Sequence, residues 1–270
     1  MKKTIIALMA LAGVAAAKSV DCSSYEGLGL SSDIFVAYDF STNTANMGGG
    51  LTGNVIVDNG VATFSQSANG YANASSPYAS STTIGSANGD FSITMDLVDL
   101  GACDAWDCLL SVYSSTSKGE GYNNSLVLHV NSNNELVWSS SNGGEASFAN
   151  NAAYNLGTGI YASSTEGETH ASGQTLTLVQ DSTAHTLTLY VDSEQVAQAT
   201  NWEAAQIKMI NFGCIPGGTK AVNDAKIDNM AIWNTALTAD QVKALVVPEP
   251  TTATLSLLAL CGLAARRRRK

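Results

Sequence analysis

Five cysteines, three histidines and an acidic loop around one tryptophan are the groups of this chain whose types and spacing could do chemistry. Cys103 and Cys108 enclose Asp104-Ala105-Trp106-Asp107 between two segments that read as strands. Cys261 lies in an apolar tail, which leaves Cys22, Cys103, Cys108 and Cys214. Four cysteines allow three connectivities, and proximity favours a Cys103–Cys108 bridge with Cys22 and Cys214 as the remaining pair. Such a bridge would hold out a polar loop. Trp106 could then stack on a ligand, and Asp104 and Asp107 could accept hydrogen bonds from its hydroxyls. In the competing arrangement Trp106 folds back and plugs its own loop. Zinc is disfavoured, because the cysteine spacing is wide and no histidine follows at ligand spacing.

Catalytic patterns are missing. His129, His170 and His185 are far apart, and each reads as a surface residue, two of them on or beside strands. No Gly-x-Ser-x-Gly elbow occurs. Gly48-Gly49-Gly50-Leu51-Thr52-Gly53 fits Gly-x-Gly-x-x-Gly but precedes a strand instead of following one, so it reads as a turn. Asp96 and Asp99 are three apart and fall on opposite faces of a strand, while Glu166 and Glu168 sit in a Gly/Ser/Thr loop. A retaining pair needs two carboxyls held rigidly about 5 Å apart. These residues predict no enzyme and no required cofactor.

The elements that must position these groups are strands. Only 13% of the 270 residues are charged and 45% are hydrophobic, with 24 glycines against 4 prolines. That excludes coiled coils, bundles and wholesale disorder. Apolar residues alternate with polar ones at 91–97, 126–130, 175–178 and 186–189. Further strands are expected at 34–40, 54–57, 61–64, 108–114, 135–139, 195–200, 207–212 and 226–233, separated by Gly, Asn, Asp and Ser. Residues 65–90 and 142–173 read as long loops. About a dozen short strands predict a two-sheet antiparallel jelly-roll sandwich. Trp138 and Trp233 read mainly as packing residues on strands, with Trp202 and Tyr122 as weaker loop candidates. One helix is signalled: Thr238-Ala239-Asp240-Gln241 is a capping box, Leu237 and Val242 can staple it, and it ends near Val246.

Both ends read as addresses. Lys2 and Lys3 precede the apolar stretch Ile5 to Ala17, so residues 1–17 are predicted to be a signal peptide cut by signal peptidase. At the other end Pro248-Glu249-Pro250 precedes the uncharged stretch 251–265 and then Arg266 to Lys270. A 15-residue helix rises only about 22 Å, against a hydrocarbon core of ~30 Å. The cationic end stays inside, so the stretch meets the inner membrane, and only transiently if the segment is then cut away. Residues 18–247 hold six basic and 22 acidic side chains, a net of −16, so nucleic acid is excluded as a partner. The tail 247–270 resembles the PEP-CTERM sorting signal of bacteria. That resemblance implies an exosortase-type protease as a partner and delivery to the cell surface, the outer membrane or the medium.

Residues 18–246 form the predicted domain. Ile227-Asp228-Asn229-Met230-Ala231-Ile232-Trp233-Asn234-Thr235-Ala236-Leu237-Thr238 resembles the closing strand and helix of the LamG-like family, and Leu187 to Asp192 resembles its strand ending in a Val-Asp turn. The resemblance is strongest over 174–246. It implies a concanavalin A-like jelly roll and a binding module, with polysaccharide or glycoprotein as ligand. It also implies a structural Ca²⁺, for which Asp39 and Asp228 on the first and last strands are the candidates. Asp228 could instead only hydrogen-bond backbone. Jelly-roll glycosidases of this type carry Glu-x-Asp-x-x-Glu on a strand, and no such segment occurs here. The expectation is an exported, non-catalytic carbohydrate-binding domain. The alternative is a structural or adhesive surface protein without a glycan site, and the distant alternative is a glycoside hydrolase-like enzyme.

Overall fold

The structure, a computed structural model, describes residues 30, 33–38, 40, 55–64, 89–113, 125–141, 156–162, 173–202, 209–213 and 224–246. The predicted signal peptide, the sorting segment with Pro248, Glu249 and Pro250, the 48–53 turn, Cys22, Asp39, Tyr122, Glu166, Glu168, His170, Cys214 and Cys261 lie outside the described residues.

The alternating segments form strands: β1 (Ile34–Tyr38), β2 (Val55–Asp58), β3 (Val61–Phe64), β4 (Phe91–Asp99), β5 (Cys108–Tyr113), β6 (Ser125–Val130), β7 (Glu135–Ser141), β8 (Leu156–Tyr161), β9 (Gln174–Asp181), β10 (Thr186–Val191), β11 (Glu194–Thr200), β12 (Met209–Phe212) and β13 (Ala225–Trp233). Strand β8 was not expected. Gly157 and Gly159 interrupt its apolar alternation, so it reads as loop in the sequence.

The strands form two antiparallel sheets. One is eight-stranded with the order β11-β10-β9-β4-β13-β3-β2, and β1 pairs with β13 beside β3. The other is five-stranded with the order β12-β5-β6-β7-β8. This is the all-β sandwich expected of a jelly roll. The inward residues of both sheets make one core: Ile93, Met95, Leu97, Leu176, Leu178, Leu187 and Leu189 join Leu128, Val130, Leu136 and Trp138. Each fully buried leucine or isoleucine contributes about 1.5–3 kcal/mol. Trp138, Trp202 and Trp233 are at most 2% exposed, so all three are packing residues. Trp202 also donates from Nε1 to Gln180 Oε1 at 2.9 Å, which settles its polar edge.

Turn chemistry follows composition. Asp192 and Ser193 link β10 to β11 with φ of 51° and 73°. Positive φ at both positions is the two-residue turn whose twist suits a hairpin. The helix α1 (Ala239–Val246) begins with the expected reciprocal cap: Thr238 N donates to Gln241 Oε1 at 2.8 Å, and Gln241 N donates to Thr238 Oγ1 at 3.3 Å. Asp240 in the first turn and Lys243 in the last complement the helix dipole. The staple residues Leu237 and Val242 are buried with Leu245 against Val179, Tyr190, Ala231 and Trp233, so α1 covers the outer face of the eight-stranded sheet.

Ser92 ties the helix approach to that sheet. Its hydroxyl donates to Thr235 O at 2.8 Å and accepts from Leu237 N at 2.9 Å, and the side chain is fully buried. Ser92→Ala strands both backbone groups. The expected cost is about 1–3 kcal/mol, read in urea unfolding as a lower midpoint with an unchanged slope.

Candidate functional site

The loop before β5 is built by its own backbone and one carboxylate. Asp107 N donates to Asp104 O at 3.0 Å, and Asp104 N donates to Asp107 Oδ2 at 2.8 Å. Two further bonds clamp the loop to the end of β6: Trp106 N to Val130 O at 2.6 Å and Val130 N to Asp107 O at 2.9 Å. Between these anchors Trp106 takes a φ of 78°, in the left-handed region that a bulky residue rarely occupies.

Cys103 and Cys108, between which the sequence predicts a bridge, are both fully buried, and Cys103 Sγ donates to Leu100 O at 3.0 Å. The loop is closed by the two Asp104–Asp107 hydrogen bonds.

Trp106 neither stands free nor fills the core. Its ring stacks on His129 with centroids 5.3 Å apart and planes at 16°. The indole stays partly exposed, and Asp104 beside it is exposed. The accessible part of the ring is therefore not the face turned to His129. Asp107 is half-buried and spends one carboxylate oxygen within the loop.

His129 was expected at the surface and is only 1% exposed. It points away from the main core, because its strand neighbours Leu128 and Val130 point into it. Its Nδ1 lies 3.1 Å from Val130 O, and a carbonyl only accepts, so Nδ1 carries the proton. Nε2 is then an acceptor, and Ser139 Oγ donates to it at 2.8 Å. Burial holds the imidazole below its ordinary pKa of 6.5, and the bond to Val130 opposes that shift. A serine bonded to a histidine is the start of a nucleophilic pair. Ser139 is also 1% exposed, and the imidazole of the pair backs Trp106. His185, by contrast, is exposed in the β9–β10 turn.

The neighbouring turn completes this rim. Asn131 Oδ1 accepts from Asn133 N at 2.9 Å and from Glu135 N at 3.0 Å. Across β7 and β8, Glu135 is paired with Tyr161, which is 65% exposed. Sequence reading missed this pair. The signal was present in Tyr161 itself, but without β8 there was no sheet to place it on.

The calcium candidates are only partly described. Strand β1 does lie beside β13, with Tyr38 opposite Met230. Asp228 Oδ1 accepts from Asn229 N at 2.7 Å, the backbone role that the sequence left open. Asp96 Oδ1 accepts from Thr175 Oγ1 at 2.6 Å, and its Oδ2 accepts from Asn229 Nδ2 at 3.0 Å. Asp99 instead pairs with Lys226 at 3.8 Å. Among the described residues no three His, Cys, Asp or Glu side chains converge to hold a metal ion.

Residues 73–243 match the family described as the concanavalin A-like lectin/glucanases superfamily, which is more than half of the chain. No curated protein matches in sequence. Solved structures share the fold. The Trypanosoma rangeli sialidase in complex with sialic acid is similar with a TM-score of 0.52 at 12% identity, over 82% of this chain and 33% of that one. The binding domain of botulinum neurotoxin serotype G is similar with a TM-score of 0.50 at 12% identity, over 79% of this chain and 50% of that one. A heptameric SAP-like pentraxin from Limulus polyphemus is similar at 0.46 and 14%, over 69% and 81%. The chain thus spans a third of the sialidase and half of the neurotoxin domain.

The His129 shift has a sign that can be measured. The folded state holds this imidazole neutral below 6.5, where the unfolded chain is already protonated. More protons bind to the unfolded state, so stability is full above 6.5 and falls as pH drops below it, levelling off once the folded imidazole also titrates. Thermal melts from pH 8 to pH 5 should show that fall, and His129→Gln should flatten it.

Proposed function

The chain belongs to the concanavalin A-like lectin/glucanase superfamily, and from that premise we propose that the domain is a non-catalytic binding module whose ligand is carbohydrate. The observation that carries this reading is Trp106. A bulky residue held at φ 78° stores strain, and such strain concentrates at ligand clamps. Here a partly exposed indole rests on a buried histidine support, and Asp104, two residues earlier in the same loop, is exposed. An aromatic face with an adjacent acceptor suits a sugar ring, whose C–H face stacks and whose hydroxyls donate. The sialidase and neurotoxin likenesses, at 12% identity, speak to fold and not to ligand.

Non-catalysis is supported by what the titratable groups are doing. His129 and Ser139 are closed off, and Asp96 and Asp99 hold different partners. One stacking platform adds only about 0.5–1.5 kcal/mol beyond area burial, so binding is weak per site, and many surface copies would raise it through avidity. The reading includes export, with removal of residues 1–17 by signal peptidase and of the PEP-CTERM-like segment 247–270 by an exosortase-type protease, and work at or outside the cell surface. Among the described residues no helix is long and apolar enough to cross a membrane.

A glycan array with the full chain tests the ligand class. Binding should be lost in Trp106→Ala, and a hydrolysis assay on the hits should show no turnover. Turnover would overturn the non-catalytic reading. Silence across all polysaccharides would overturn the carbohydrate reading in favour of a structural or adhesive protein with an acidic, Ser/Thr/Asn-rich surface. Export predicts an intact mass in native-host material that lacks both end segments. A chain still ending at Lys270 would refute the processing.

A further inference from the structure

We infer that Trp106 is one end of an extended site, that Tyr161 is the other, and that the ligand bridging them is an uncharged oligosaccharide. This rests on the carbohydrate reading and adds to it a second platform and a charge class.

The register places the two aromatics on one face. His129, under Trp106, is paired with Val137 across β6 and β7. Glu135, two residues earlier on β7, is paired with Tyr161 on β8. Paired residues share a face, and so do residues two apart on a strand. His129, Val137, Glu135 and Tyr161 therefore all project from the outer side of the five-stranded sheet. Their neighbours Leu128, Leu136 and Ile160 project into the core. Two strand intervals and a two-residue offset separate the backbones of His129 and Tyr161, about 12 Å in all, and Trp106 lies over His129. A short oligosaccharide spans that distance, and a monosaccharide does not.

Val137, between His129 and Glu135, is only 2% exposed, so the path between the platforms runs over the polar Asn131–Glu135 turn and not over the sheet face. Glu135 is half-buried, with its Oε1 within 2.7 Å of where a Cβ on Gly157 would sit, so the glycine makes room for the carboxylate over β8. Asn134 and Asn133 are exposed on the turn that leads into it. Tyr161 is the most exposed of the large hydrophobic side chains described, at 65%. It lies on a strand, not in a loop, so its position is set by the sheet.

Charge selects the ligand class. The platforms are flanked by carboxylates, Asp104 at one and Glu135 at the other, and among the described residues no Lys or Arg belongs to this rim. All four arginines of the chain stand at 266–269, outside the predicted domain. Carboxylate-bearing sugars are held by the fork of an arginine or by a lysine. Against Asp104 and Glu135 they would meet like charge, whereas the hydroxyls of a neutral sugar meet acceptors.

The test is calorimetry on the full chain with neutral β-linked oligosaccharides, from monosaccharide to hexasaccharide, and with matching uronic acid oligomers. Affinity for the neutral series should rise with length until both platforms are covered. Tyr161→Ala should remove that rise, about tenfold for the longest oligomer, and leave the shortest unchanged. Tyr161→Phe should retain it, and the melting temperature of both variants should match the parent. Trp106→Ala should weaken every length. If Tyr161→Ala binds long oligomers as tightly as the parent while Trp106→Ala does not, the extended site is wrong and the carbohydrate reading stands. If the uronic acid series binds more tightly, the charge assignment is wrong. If the parent binds neither series, the inference falls, and the reading beneath it falls only if the glycan array is silent as well.

Discussion

Strand β13 is paired along both edges, and the eight-stranded sheet is organised by that fact. One edge meets β4, and the other meets β3 and then β1. A strand paired on both edges along most of its length must fit the core on one side and the helix layer on the other. Ile227, Met230 and Ile232 enter the central core, while Ala231 and Trp233 enter the cluster under α1. The register shift at Asp228–Met230 lets Asn229, at φ 42°, leave the alternation and reach Asp96. Bulges serve to re-aim a side chain in this way.

The five-stranded sheet carries the candidate site by a different economy. Its inner face is apolar, while its outer face holds a buried imidazole, a buried serine and two aromatics. A neutral imidazole is the group that allows this. It accepts from Ser139, donates to Val130, and offers a flat surface to Trp106. An alkyl side chain could provide the packing but not the two hydrogen bonds, and Ser139 would lose its acceptor in a buried setting.

Much of this arrangement is legible in the chain. Two-residue periodicity located β4, β6, β9 and β10, runs set off by Gly, Asn, Asp and Ser marked the other expected strands, and Thr238 with Gln241 marked the start of α1. Strand β8 was hidden for a physical reason: in Leu156-Gly-Thr-Gly-Ile-Tyr the polar positions are glycines, which carry no strand signal. Without β8 the Glu135–Tyr161 pair could not be seen. The burial of His129 was illegible for another reason. Alternation identifies the face of a residue, but it does not say whether that face is open.

The pairing of β1 with β13 also governs how the protein can be made. Residues 34–38 emerge early from the ribosome, and their partners at 230–233 emerge nearly two hundred residues later. Strand β4 waits likewise for 226–233 on one of its edges. Pairings this distant in sequence are slow, because loop-closure entropy must be met before any contact forms. The growing chain therefore keeps an open sheet edge and an uncovered apolar face until its closing strand arrives. Until then its apolar surface and unpaired backbone stay in water, and the sheet matures as a whole and not segment by segment.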